Sequence, residues 1–211
     1  MERTIDDLLE TIRSAKDQGR SCSLLVGAGC SDTAGVPLAS GFVDEIKKRY
    51  PQAYDRADKE TYAKCMGQLG PGERRELIKG YVDSAQINWA HIAIASLMKE
   101  GYVDRVLTTN FDQLVVRACA LLGHFPAVYD FAASQLYHSE DIQGNAVIYL
   151  HGQSTGFVLM NTDEEVEEHS KKMAPVFQDA GQRRTWLVAG YSGENDPVFD
   201  HLGVDPVWWT P

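Results

Sequence analysis

Several common chemistries are missing from this sequence. The four cysteines, Cys22, Cys30, Cys65 and Cys119, form no CxxC pair, so neither a paired-cysteine zinc module nor a disulfide framework is suggested. No glycine precedes Lys-Ser or Lys-Thr, so the GxxxxGK[ST] loop of P-loop nucleotidases is absent. The hydrolase elbow GxSxG fails at both candidate serines, because Thr33 (after Ser31) and Glu194 (after Ser192) stand where glycine is required. HExxH is lacking too, and His91, His124, His138, His169 and His201 have no metal-ligand spacing; they read as surface or structural residues. Basic charge is short. There are 20 Lys and Arg against 30 Asp and Glu, a net charge of −10, with no local basic patch to serve nucleic-acid phosphates. No apolar run approaches the length that spans a bilayer, and the opening MERTIDDLLETIRS is acidic and amphipathic, unlike a secretory leader. The expectation is a soluble, cytoplasmic protein with no membrane partner, no direct nucleic-acid partner and no metal.

What is present is ordinary globular composition, 44% hydrophobic and 24% charged, over 211 residues. That length suits one domain, residues 1–211, with an inserted lobe. Thr4 and Asp7 form a capping-box pattern, and Ile5, Leu8, Leu9 and Ile12 recur at helical spacing, predicting a helix from about 4 to 18 that Gly19 ends. Cys22–Val26 is an apolar run of strand length that empties into GAGCS; strand, glycine turn and helix is a phosphate-binding layout. Residues from about 38 to 88 hold helical segments broken by Pro51, Gly67, Gly70, Pro71 and Gly72, the inserted helical lobe. Trp89–Met98 predicts a helix closed by Gly101, Val103–Thr108 a strand, Phe111–Leu122 a helix, and Val147–Leu150 and Phe157–Met160 two more strands. A helix from about 163 to 179, its acid-rich start solvated, precedes the strand Thr185–Ala189. Apolar strands alternating with helices mean an α/β fold, a doubly wound parallel sheet covered on both faces.

Four strand ends carry unusual residues: GAGCS at 27–31, TTNFD at 108–112, HG at 151–152 and GYSGEND at 190–196. In a doubly wound sheet such ends converge on one crevice. Each also has a plain structural reading. Gly27 and Gly29 suit a tight turn as well as a phosphate cradle, and Asp32 stands where the third glycine of GxGxxG belongs. Asn110 and Asp112 suit helix caps as well as a cleft mouth, and His151 suits a core histidine bonded to a backbone carbonyl. The convergence of all four is what favours a ligand site.

GAGCSDTAGVP, TTNFD, LHG and GYSGEND, in this order, resemble the sirtuin-like domains of prokaryotic antiphage defence proteins, which act as NAD hydrolases; the resemblance runs from about 22 to 200. It implies a Rossmann-like fold binding NAD, as substrate, across the carboxyl edge of the sheet. Gly27, Ala28, Gly29 and Ser31 would hold the pyrophosphate through backbone amides and a hydroxyl, with Gly190 and Ser192 approaching from the opposite side. Asn110 and His151 match the family's catalytic pair, Asn110 orienting a water or ribose hydroxyl and His151 acting as base. Asp112 matches a position near the nicotinamide ribose or carboxamide, beside Thr108, and Asp196 one near a ribose hydroxyl. The resemblance implies nicotinamide and ADP-ribose as products and an NAD-depleting effector unlocked by homo-oligomerisation or by a sensor domain or protein. The two other functions in view are a non-catalytic module sensing NAD or an ADP-ribose derivative, and an NAD-dependent protein deacylase. Deacylating sirtuins usually carry a four-cysteine zinc module and an arginine in a GIPxFR pattern, whereas Gly35-Val-Pro37 is followed here by Leu38-Ala-Ser. The end at Val207-Trp-Trp-Thr-Pro211 comes sooner than in that family, as expected of an N-terminal module of a longer protein.

Overall fold

Five short strands, each with its alternate residues on opposite faces, set the layering. They are β1 (Cys22–Val26), β2 (Val103–Thr108), β3 (Ala127–Asp130), β4 (Ala146–Tyr149) and β5 (Thr185–Ala189), all parallel, in the order β3-β4-β2-β1-β5. The computed structural model describes residues 4–134, 138, 140, 142, 144–193 and 197–202. Cys22, Leu24, Val26, Val106, Val147 and Tyr149 face one side, where α1 (Ile5–Asp17), α6 (Trp89–Lys99) and α7 (Leu114–Leu121) cover them with Ile12, Ile94, Met98 and Ala118. Leu25, Leu107, Ile148 and Leu150 face the other, against Met173, Val176 and Phe177 around α9 (Ala174–Gly181) and against Leu202 in the short 3-10 turn Phe199–Leu202. Each such fully buried side chain contributes about 1.5–3 kcal/mol. Two covered faces on a parallel sheet make the fold α/β, Rossmann-like and doubly wound.

Between β1 and α6 lie α2 (Ala39–Arg49), α3 (Pro51–Arg56), α4 (Tyr62–Gly67) and α5 (Pro71–Ser84), which bury Phe42, Ile46, Cys65, Met66, Leu77, Ile78 and Val82 among themselves. Phe111 and Leu159, from the loops after β2 and β4, pack against this cluster. At the other end of the sheet, Arg105, buried, pairs with Asp179 of α9 at 3.1 Å, and Arg184, just before β5, grips Asp104 at 2.8 and 2.9 Å, fixing both on the start of β2. Among the described residues no helix is long and apolar enough to cross a membrane.

Several boundaries differ from the sequence expectations. Phe157–Met160 is not a strand: Leu159 makes only an isolated bridge to Gly152, and Phe157 is 96% exposed. Two 3-10 turns follow β1, Ala28–Cys30 within GAGCS and Asp32–Ala34 just after it, and the next α-helix starts only at Ala39. Phe111, Asp112 and Gln113 stay outside α7, since Asp112 turns its carboxylate onto the Leu114 N–H. The helix expected over 163–179 is two: α8 (Asp163–Ser170) and α9, separated at Lys171–Met173, with Pro175 in the first turn of α9, a place it tolerates. The acid-rich start of α8 has partners: Thr162 and Glu165 form a capping box, Lys64 lies 3.7 and 3.3 Å from Asp163 and Glu164, and Arg74 lies 2.9 Å from Glu165.

Candidate functional site

The register makes the strand ends flush. Val26 pairs with both Thr108 and Ala189, Thr108 with Tyr149, and Tyr149 with Asp130. The residues immediately beyond, GAGCS, TNFD, HG and GYSG, therefore emerge along one edge. Asn110 and His151 each stand two residues past a paired position on neighbouring strands, which lie about 4.8 Å apart in a sheet.

The two glycine loops touch. Gly27 N–H donates to Ala189 O at 3.0 Å and Gly29 N–H to Gly190 O at 2.8 Å. A Cβ at Gly27 would lie 2.5 Å from Gly190 O, and one at Gly190, whose φ is +62°, would strike Cys30 N. Glycine is required at both places because backbone meets backbone. The loop after β5 thus lies against the loop after β1 and does not face it from an opposite side. Three of the amides expected at a pyrophosphate are spent inside the protein, Gly27 and Gly29 as above and Ser31 on Ala28 O at 2.9 Å. Between Gly27 and Ser31, Ala28 keeps the one N–H with no partner among the described residues, and it is exposed.

Ser31 is fully buried at the centre of a polar network. Its hydroxyl donates to Asp112 Oδ2 at 2.8 Å and accepts from Asn110 Nδ2 at 3.2 Å. His91 Nε2 lies 3.2 Å from the same oxygen. His91 Nδ1 accepts the Asn88 N–H at 3.2 Å, and burial holds this imidazole below its usual pKa against the opposing pull of Asp112, so the ring is neutral and Nε2 carries the hydrogen donated to Ser31. That tautomer cannot take a proton from Ser31, so the two do not act as a serine–histidine nucleophile pair. Asp112 Oδ1 accepts the Leu114 N–H at 3.0 Å, so this carboxylate caps α7 and holds Ser31 at once. Thr108 Oγ1, also buried, accepts the Asn110 N–H at 3.0 Å. Asn110 Nδ2 donates to both Gly27 O at 3.1 Å and Ser31 Oγ. Both amide hydrogens are used, which fixes the flip of the carboxamide and leaves Oδ1 as an acceptor with no partner among the described residues.

His151 is buried past the end of β4, with its carbonyl accepting the Met160 N–H at 3.0 Å. Near it on α8 stands His169, 5% exposed, its ring tilted at 53° to that of Phe131 with centroids 4.9 Å apart. His169 Nε2 has no hydrogen-bond partner among the described residues. Burial first, then His151 and Lys172, push its pKa down to about 4. Ser192 is exposed beyond Gly190, and Asp196 lies outside the described residues. Ser31, Asn110, Asp112, Thr108 and the glycines are thus in one connected cluster, with His151 on the adjoining strand. Of the histidines expected to be surface or structural, His91 and His169 are buried; the capping box Asn88–His91 was the local signal that His91 begins a helix and turns inward. The four cysteines are free, buried and spread over β1, the GAGCS loop, α4 and α7.

Residues 104–203 match the SIR2-like domain family. A 108-residue stretch is 35% identical to the NAD-dependent protein deacylase SIR2rp2 of Leishmania major, covering 48% of this chain and 31% of that protein. A 114-residue stretch is 34% identical to an NAD-dependent protein deacetylase of Haloarcula marismortui, covering 53% of this chain and 40% of that protein. These matches span well under half the length of either relative. Among solved structures, a Sir2 protein bound to a propionylated peptide shares 21% identity at a TM-score of 0.40, over 79% of this chain and 54% of that one. A Sir2 homologue in complex with ADP-ribose shares 26% at 0.36, over 67% and 46%.

Proposed function

We propose that this sirtuin-like chain binds NAD along the carboxyl edge of its sheet and hydrolyses the nicotinamide–ribose bond, giving nicotinamide and ADP-ribose. The observation that carries this reading is the Asn110 carboxamide, whose two hydrogens are consumed by Gly27 O and Ser31 Oγ so that Oδ1 is left as an acceptor, on the strand next to the one that leads to His151. The edge fits a dinucleotide: Ala28, Gly29 and Gly190 offer an exposed ledge almost free of side chains, and the Ala28 N–H is available to a phosphate oxygen. In this reading Ser31 and Asp112, buried and bonded to each other, also hold the Asn110 carboxamide in place.

Rupture of the glycosidic bond builds oxocarbenium charge on the ribose, and nicotinamide leaves neutral, so no general acid is needed. Asn110 Oδ1 accepts a hydrogen bond from the attacking water or a ribose hydroxyl, and His151 receives its proton. The expected result is that Asn110→Ala and His151→Ala each lower nicotinamide release by on the order of 10²–10⁴-fold, measured by chromatography of NAD digests. Unchanged turnover in both would remove the mechanism.

Protein deacylation is the second reading, favoured by the names of the two curated relatives. It requires turnover to depend on an acyl-lysine peptide. The dispersed cysteines and Ser40, which stands where the GIPxFR pattern has its arginine, weigh against it. Ligand-induced thermal stabilisation with no product would instead mark a sensing module. An antiphage role, with activation by self-assembly or a sensor, rests on the resemblance of the four motifs.

A further inference from the structure

The loop from Gly152 to Leu159, which follows His151 directly, is tied down from three directions. At its base, Gly152 bridges Leu159 and the Met160 N–H donates to His151 O at 3.0 Å. From the segment after β2, Phe111 O accepts the Ser154 N–H at 2.9 Å and Gln113 Nε2 donates to Thr155 Oγ1 at 2.9 Å. From β3, Asp130 accepts Gln153 Nε2 at 3.5 Å, and Gly156 closes so tightly on this carboxylate that a Cβ there would collide with Oδ2. From α5, Arg75 spans the tip: Nη1 donates to Ser154 O at 3.2 Å and Gly156 O at 2.7 Å, and Nη2 to Phe157 O at 3.2 Å. Its neighbour Arg74 turns instead to Leu69 O and Glu165. The apolar side chain at the tip contributes no burial, since Phe157 is 96% exposed. Hydrogen bonds hold the tip, and Arg75 supplies three of them from one planar fork.

We infer that Arg75 is a positioning residue for His151: by gripping three carbonyls of the loop, it fixes the main chain that sets the imidazole level with Asn110. This rests on His151 being the base of NAD hydrolysis. It also gives the helices between β1 and α6 a mechanical link to the chemistry, because Arg75 is their residue on the loop tip. Lysine cannot substitute, for an ammonium is a point donor and the three carbonyls are spaced for a guanidinium.

The test uses the full chain as wild type, Arg75→Ala, Arg75→Lys and Gly156→Ala, the last pushing the loop off Asp130 while leaving Arg75 in place. Circular dichroism and the thermal midpoint first establish which variants are folded. Limited chymotrypsin digestion then reads the loop itself, since Phe157 is exposed and is cut only when the surrounding backbone opens. The folded loop variants are expected to be cleaved after Phe157 about tenfold faster or more. Their kcat for nicotinamide release is expected to fall on the order of 10²-fold while KM for NAD stays within about threefold, the signature of a misplaced group with binding intact. Arg75→Lys should behave like Arg75→Ala. Unchanged cleavage in every folded variant overturns the clamp, and faster cleavage with unchanged kcat overturns its bearing on His151. A wild type that releases no nicotinamide in the same assay sinks the NAD reading and with it this role, while the digestion still reports on the loop.

Discussion

The two halves of the strand-end edge are built on opposite principles. On the β1–β2 side, Ser31, His91, Asp112, Thr108 and Asn110 bond to one another, and the Asn110 Oδ1 is left without a partner among the described residues. On the β4 side, two imidazoles, His151 and His169, sit buried near Phe131, and His169 has an Nε2 without a partner among the described residues. A saturated network is rigid, and its groups have no proton to give. Burial keeps the His169 imidazole neutral instead, its pKa pushed down to about 4. In the proposed reaction the first side holds the geometry and the second, through His151, takes the proton.

The largest way to break this contrast is Asp112→Ala. It strips the acceptor from the buried Ser31 hydroxyl and from the Leu114 N–H together, and each stranded group costs about 1–3 kcal/mol. A loss of about 3–5 kcal/mol in urea unfolding is expected, and a loss below about 1 kcal/mol would mean that the network is not saturated.

Acid should separate the halves next. Folding lowers the His169 pKa from its usual 6.5 to about 4, so below pH 6.5 the unfolded chain takes up a proton that the folded one refuses. Stability from this group is therefore complete above pH 6.5 and drains away as pH falls toward 4, by up to about 3 kcal/mol. His91, also depressed by burial, adds to the loss in the same direction. Unfolding midpoints at pH 7 and pH 4.5 should show a shallower acid slope in His169→Leu than in wild type. An identical slope would remove the dry imidazole from the comparison.

The halves also differed in how far they could be read from sequence. TTNFD announced itself because polar residues interrupt an apolar run, and the structure ties Asp112 to the Leu114 N–H and Asn110 to the GAGCS loop. The parallel sheet was legible for a similar reason: apolar runs such as Cys22–Val26 and Thr185–Ala189 alternate with helical periodicity. β3 was not, since Ala127–Asp130 is four residues long, partly exposed at a sheet edge, and lacks an apolar pattern. Conversely, Phe157–Met160 looked like a strand because it is apolar, yet Arg75 holds it as a loop from 82 residues away in sequence. His169 gave no local signal either, for its burial comes from Phe131 and the sheet, and long-range packing leaves no periodic trace in an acidic helix.

Thr108→Val is the finest probe of the saturated side. Valine keeps the volume and the β-branching that suit the end of β2, and removes only the oxygen that accepts the Asn110 N–H. Asn110 is half-buried, so water reaches that amide in part, and the expected cost is about 1 kcal/mol, a fall of about 2–4 °C in the thermal midpoint. The Asn110 carboxamide still has Gly27 O and Ser31 Oγ, so its Oδ1 should stay in place and NAD turnover should drop less than about tenfold. If turnover instead collapses while stability falls by only that amount, the main-chain turn at Thr108–Asn110 orients the carboxamide. The buried network would then be scaffolding for the fold alone.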